Sequence, residues 1–173
     1  MWNGKGFSLI ELLIVIAIIL VIAAIAIPNL LKSRMAANES SAVSSVRQIK
    51  TAEVAYYSAY PSVGYAVALT NLGGIEPCAP TSAAACLLDN FLANAAPGST
   101  GKSGYFFAAT GVAPGGGVLN SEFVVGGSPV ASQQTGSRDF CSTSDGVLRF
   151  QSSAGAPPAT TVAVCTAFPS VVQ

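Results

Sequence analysis

Residues Phe7 to Ile27 leave this chain the fewest choices. The run FSLIELLIVIAIILVIAAIAI holds one ionisable side chain, Glu11, among Leu, Ile, Val, Ala, one Phe and one Ser. At 1.5 Å rise per residue a helix of this length spans about 30 Å, the hydrocarbon thickness of a bilayer, so the segment is expected to be helical and able to cross a membrane. A carboxylate inside hydrocarbon costs about 2.5 to 3.5 kcal/mol on insertion scales. Glu11 therefore needs either water and headgroups near the end of the span or a cation. Ahead of it, Met1 to Gly6 (MWNGKG) reads as a short polar leader with a single Lys. It is far smaller than the leader of an ordinary secretory signal, and no small-x-small cleavage site follows the apolar run. A cut between Gly6 and Phe7 would create an α-amine four residues before Glu11. One helix does not readily fold its own terminus back to that side chain, whereas a neighbouring helix shifted along its axis can present an amine there. The charge pair would then be an assembly device.

Gly6, Phe7, Glu11 and Pro28, at these offsets around an unbroken apolar run, resemble the N-terminal signature of type IV pilins and of the pseudopilins of type II secretion. The resemblance implies that an inner-membrane prepilin peptidase cuts after Gly6 and N-methylates Phe7, and that Glu11 neutralises the terminal amine of a neighbouring copy during filament growth. Many members of that family carry a Gly in mid-segment where this chain has Leu20. Pro28 removes a backbone donor and crowds the preceding turn, so a kink is expected there.

Length and composition allow one compact domain besides the span. Lys and Arg number eight and Asp and Glu eight, a balance that argues against nucleic acid or an acidic surface as partner. A charged fraction of 9% against 51% apolar residues suits a subunit packed against copies of itself, and a crowded loop-rich exterior would give the same composition. Lys5 before the span against Lys32 and Arg34 after it would place the C-terminal part inside the cell by the count of positive charges. Cys78, Cys86, Cys141 and Cys165 oppose that vote: all four follow the span, and an even number suits disulfides in an oxidising compartment. The resemblance likewise implies an exported C-terminal domain.

From Asn29 to Tyr60 the uniform apolar run becomes a stripe. Ala42, Val43, Val46, Ile49, Ala52, Tyr56, Tyr57 and Tyr60 recur near the 3.6-residue period, with Lys32, Arg34, Glu39, Arg47 and Lys50 largely on other faces. Pro61 stops the run. One helix from about Phe7 to about Tyr60 follows, about 80 Å long if continuous, with a head packed on its second half. Tyr56, Tyr57, Tyr60 and Tyr65 read as core rather than as a conducting stack, since aromatic residues at helical spacing usually pack and the sequence has no His and no CxxCH to hold a redox cofactor.

Beyond Pro61 a connecting region runs to about Ser103, with turn residues in PSVGYAVALTNLGG, a polar loop between Cys78 and Cys86, and a short helix expected at Leu87 to Ala95. Ala96 to Ser103 (APGSTGKS) comes close to a phosphate-loop pattern. Its surroundings run in the wrong order, however, with a helical pattern before it and a strand pattern after it. Antiparallel strands are expected at Tyr105 to Thr110, Glu122 to Val125, Arg138 to Cys141 and Val147 to Gln151. The last two are joined as a hairpin by the Asp145-Gly146 turn. The Thr and Val run of GAPPATTVAVCTAFPSVVQ is expected to add an edge strand. Four cysteines allow three pairings and the sequence alone does not choose. The resemblance favours Cys78 with Cys86 and Cys141 with Cys165, the second bridge closing a C-terminal loop onto the sheet.

Catalysis finds little support. There is no imidazole base, no close pair of acids, and no CxxC spacing for zinc. Asp139 and Asp145 could face calcium, but the turn CSTSDG lacks the acidic density of such sites, and Asp145 reads as a turn residue. Asn38-Glu39-Ser40 fits a glycan acceptor pattern within a helix and carries no weight. The expected protein is α+β and not an enzyme, without metal or cofactor. Its parts are a leader (1–6), an assembly helix (7–28), its amphipathic continuation (29–60), a connecting region (61–103), and a small antiparallel sheet with a C-terminal disulfide loop (104–173). The resemblance implies a pilus subunit whose partners are copies of itself, the prepilin peptidase, the inner-membrane assembly machinery and, before assembly, the bilayer. A pseudopilin of type II secretion and a membrane-anchored binding domain that never assembles are the alternatives.

Overall fold

The structure is a computed structural model that describes residues 6–172; leader residues 1–5, including Lys5, lie outside the described residues. The chain forms two compact units, Met1–Arg34 and Met35–Gln173. Helix α1, Leu9–Ala59, contributes to both and continues through Pro28. In the first unit it is exposed on every side, as a segment without periodicity must be when nothing of its own chain covers it.

In the second unit α1 buries a stripe: Ala42, Ser45, Val46, Ile49, Ala52, Glu53 and Tyr56. The spacing of three and four residues keeps these on one face. That face packs on a five-stranded antiparallel sheet of β1 (Tyr105–Val112), β2 (Glu122–Pro129), β3 (Arg138–Thr143), β4 (Leu148–Ser152) and β5 (Ser170–Val171), in the order β1-β2-β3-β4-β5. Tyr105 and Phe107 of β1, Phe123 and Val125 of β2, Phe140 of β3 and Leu148 of β4 meet the helix stripe in one core.

The opposite face of the sheet is covered as well. Val124 and Cys141 point away from α1 and join Ala159, Cys165 and Phe168 of the C-terminal segment in a second, smaller core. Because both faces are occupied, β2 is buried from Phe123 to Pro129 with no polar alternation. Two glycines make that possible. A Cβ on Gly126 would stand 2.4 Å from the Ala159 carbonyl oxygen, and one on Gly127 would stand 3.2 Å from the Phe107 ring and 3.4 Å from Val46 Cγ2. The backbone of β2 is thus approached closely from both sides, which only side-chain-free residues permit.

The first four strands start where they are expected or one residue later, with β2 running on to Pro129, and Gly146 (φ +77°) closes the β3–β4 hairpin beside Asp145. Two expectations need correction. The helix expected at Leu87 to Ala95 shrinks to α2, Asn90–Ala93. The amides of Leu87 and Leu88 are already donated to the Leu72 carbonyl at 2.8 and 2.9 Å, and Asp89 caps the helix by accepting from Leu92 N at 2.9 Å. The β-branched run after Pro158 is not a strand but helix α3, Val162–Thr166. Thr161 Oγ1 accepts from Val164 N at 3.3 Å as its cap, and the turn swings Cys165 onto Cys141; the edge strand is the later pair Ser170–Val171.

Candidate functional site

The first turn of α1 places three of the residues singled out in the sequence. Gly6 and Phe7 lie just ahead of the helix and both are exposed, Phe7 to 85%. Ser8 stands at the N-cap position with Glu11 three residues on. Glu11 Oε2 accepts the Ser8 backbone N–H at 2.9 Å, one half of a capping box. The carboxylate thus reaches back to the peptide amide of Ser8, the residue after Phe7, and not to an amine at Phe7 itself. Its second oxygen makes no hydrogen bond within the chain among the described residues. From Leu9 to Leu31 the surface is a sleeve of exposed Leu, Ile and Val, and α1 is the one helix among the described residues long and apolar enough to cross a membrane. Pro28 sits inside that sleeve.

In the head the cysteines are bonded Cys78–Cys86, across eight residues, and Cys141–Cys165, across twenty-four. The second ties α3 to β3. The first encloses the loop that receives the Tyr56 hydroxyl, which donates to the Ser82 carbonyl at 2.6 Å. The margins of the α1 stripe are fastened by polar contacts. Asn38 Nδ2 donates to the Thr135 carbonyl at 2.9 Å, and Glu39 Oε1 accepts from Ser137 N and Ser137 Oγ at 2.8 and 2.7 Å. Glu39 also pairs with Arg138 at 3.5 Å, and Lys50 Nζ donates to the Gly146 carbonyl at 3.1 Å. The Asn38 amide is thus engaged in holding α1 to the β2–β3 connection.

Other candidates resolve into structural roles. Asp145 caps the hairpin turn, accepting from Val147 N at 2.9 Å and pairing with Arg149 at 2.6 Å; the Arg149 hydrogen bond draws its carboxyl down to about 2. Asp139 points to the face opposite Arg138, because neighbours along a strand do. It is buried, receives Gln151 Nε2 at 3.4 Å, and burial raises its carboxyl above the usual range. The segment APGSTGKS lies between α2 and β1, helix before strand, the reverse of a phosphate loop. No cluster of three metal-ligating residues occurs among the described residues. Tyr57, Tyr65 and Phe123 touch ring to ring at 4.8 and 4.7 Å, packing between α1, the following turn and β2.

One titratable group escapes the sequence reading. Glu53 lies within the buried stripe of α1 and is 0% exposed. Its Oε2 accepts the Ala66 backbone N–H at 2.9 Å, and Oε1 is buried without a hydrogen-bond partner. Burial pushes this carboxyl up to about 7, against a smaller lowering by the Ala66 bond. Its position between Ala52 and Tyr56 on the stripe was the available signal.

A long N-terminal helix, apolar all round in its first half and packed on a small antiparallel sheet in its second, with Gly-Phe ahead of it and an acid in its first turn, is the arrangement of type IV pilins. The N-terminal segment is similar to that of this family. Residues 3–27 match the family described as the prokaryotic N-terminal methylation motif. Among curated proteins the chain is similar to the type IV wide pilus major component PilA4 of Thermus thermophilus, 65% identical over 40 residues that make up 23% of this chain and 30% of that protein. It is also similar to the type IV major pilin protein PilA of Myxococcus xanthus, 44% identical over 56 residues, 32% of this chain and 26% of that protein. The matched stretch thus spans a third or less of each relative. No solved structure matches the chain.

Proposed function

We propose that the chain is a structural subunit of a type IV pilus, built into a helical filament through residues 7–28 after a prepilin peptidase cuts between Gly6 and Phe7 and methylates the new terminus. The observation that carries this reading is the bare sleeve from Leu9 to Leu31: none of the span is buried within its own chain. At about 25 cal/mol per Å² withdrawn from water or exchanged for well-packed neighbours, a surface of this size is the main source of cohesion in a polymer of such helices. Before assembly the bilayer covers it, with the head exported. The inner-membrane machinery then moves the subunit into the fibre.

Glu11 supplies the register. Its Oε2 serves its own helix through Ser8, and its second oxygen is left for the Phe7 amine of the next copy. A carboxylate has room for both, since each oxygen accepts independently. Glu11→Val is expected to leave a cleaved, membrane-held subunit that forms no filaments; normal filaments from that variant would end the register argument. Deleting the gene and examining both surface fibres by electron microscopy and secreted enzymes separates a pilus from the short periplasmic filament of type II secretion. Loss of fibres with secretion intact is the result expected here.

A further inference from the structure

Nothing in filament assembly through the sleeve calls for a carboxyl group sealed inside the head, yet α1 holds one. Glu53 is fully buried, one of its oxygens is bound to Ala66 N at 2.9 Å, and the other faces the interior with no partner. The ionisable groups around it are phenols. Tyr56 stands on α1 and Tyr65 on the turn that follows, both raised first by burial, then by a neighbouring tyrosine (Tyr60 and Tyr57 respectively) and by Glu53 itself. From the sheet behind Tyr65 comes Phe123, which carries no charge. No Lys or Arg stands within ion-pair distance of Glu53 among the described residues. A charge placed there has neither a cation nor water to answer it, whereas a neutral carboxyl keeps its bond to Ala66 and costs far less.

What Glu53 holds is more than one amide. Ala66 is fully buried at the end of a turn whose Tyr65 N donates to the Asn120 carbonyl at 2.9 Å. Asn120 answers through Nδ2 to the Tyr65 carbonyl at 3.1 Å and through its own N–H to the Val63 carbonyl at 3.3 Å. Gly64 lies so close beneath Asn120 that a Cβ would stand 2.2 Å from its carbonyl oxygen. Asn120 closes the glycine-rich β1–β2 connection, residues 113–121. The carboxyl is thus the anchor of a chain of contacts leading from the helix through the turn to a surface loop.

We infer that Glu53 is a proton-operated tether: neutral, it holds residues 60–66 and with them the 113–121 loop against α1, and on ionisation it lets both loosen. The loop is the part of the head that would change shape between acidic and alkaline surroundings, while α1 and the sheet stay as they are.

The test uses the full chain in detergent micelles. The carboxyl carbon of Glu53, followed by NMR against pH, is expected to titrate with a midpoint near 7, while a midpoint in the ordinary range near 4.5 overturns the inference. In parallel, the amides of Ala66, Tyr65 and Asn120 are expected to lose about tenfold in protection against hydrogen exchange, corrected for intrinsic rates, as the same titration proceeds. The Phe107 amide, bonded to the Ala95 carbonyl at 2.8 Å, follows the global stability of the head over the same pH range and serves as the reference from which the local loss is read. In Glu53→Gln the three amides should show no pH dependence, and an undiminished fall in that variant overturns the tether. Should Glu53→Gln fail to fold, the wild-type chain still decides: protection that is flat across the midpoint of the Glu53 titration refutes the link.

Discussion

The two halves of α1 are one helix by backbone and two different objects by surface. Up to Leu31 its Leu, Ile and Val side chains are exposed all round, with none of the described residues lying over them. From Asn38 onward the same backbone presents a stripe, buried at Ala42, Val46, Ile49, Ala52 and Tyr56 and bordered by Asn38 and Glu39, which hydrogen-bond to the β2–β3 connection. The difference lies in period. A segment apolar at every position cannot satisfy itself and must be covered by lipid or by copies, whereas a segment apolar every three to four residues is satisfied by one sheet. Each half also holds an acid where a hydrophobic residue would be expected. Glu11 sits at an exposed helix start, and Glu53 is sealed within the head.

The comparison breaks most severely if a charge is moved across it. Val46→Asp puts an unpaired carboxylate into the head core and is expected to cost more than about 4 kcal/mol, enough to lose cooperative unfolding of the head in a denaturant titration. The same chemistry in the first half, Ile18→Asp, should leave head unfolding unchanged and instead abolish membrane retention and filaments. Equal effects of the two on the head would show that the halves do not stand apart. Next in size is Glu53. Its carboxyl is raised in the folded state to about 7 from 4.5, so the folded head binds a proton that the unfolded chain has released between those values. The stability this gives is full below the unfolded value and is lost as pH rises through 7, a change of about 3 kcal/mol. Chemical denaturation at several pH values should show this decline in the wild type and not in Glu53→Gln. Gly126→Ala presses a methyl group against the Ala159 backbone and should cost about 1–3 kcal/mol, read as a lowered melting temperature with the sleeve's behaviour unchanged. Smallest is Asp145→Asn. The Arg149 pair is partly exposed, and its removal should cost under about 1 kcal/mol near neutral pH, a difference that disappears as pH falls through about 2.

The sleeve and the stripe were legible because each is written as a local period, unbroken or every three to four, and the four longer strands because short apolar runs stand between turn residues. The β3–β4 turn was legible because Asp-Gly carries its own geometry. What stayed hidden depends on residues distant in the chain. Gly126 and Gly127 look like a flexible interruption of a strand until Ala159 and Phe107 are seen to press on them from either side. Thr160 to Val164 has the composition of a strand, yet the Thr161 cap and the bond between Cys165 and Cys141 make it a helical turn. Glu53 lies on the stripe between Ala52 and Tyr56, but nothing local announces that the turn after Pro61 will fold over it. At the N-terminus the Ser8-x-x-Glu11 spacing is that of a capping box, a local role for Glu11 that the spacing alone carries.

The order β1-β2-β3-β4-β5 has a further consequence for how the head is made. Every strand pairs only with the strands beside it in sequence, with no crossover to wait for. Pairing of sequence neighbours closes short loops at low entropic cost and proceeds quickly. A head that emerges one residue after another can therefore build its sheet in the order of arrival against the helix that came first, with the Cys141–Cys165 bond following once Cys165 is out and β5 joining after it.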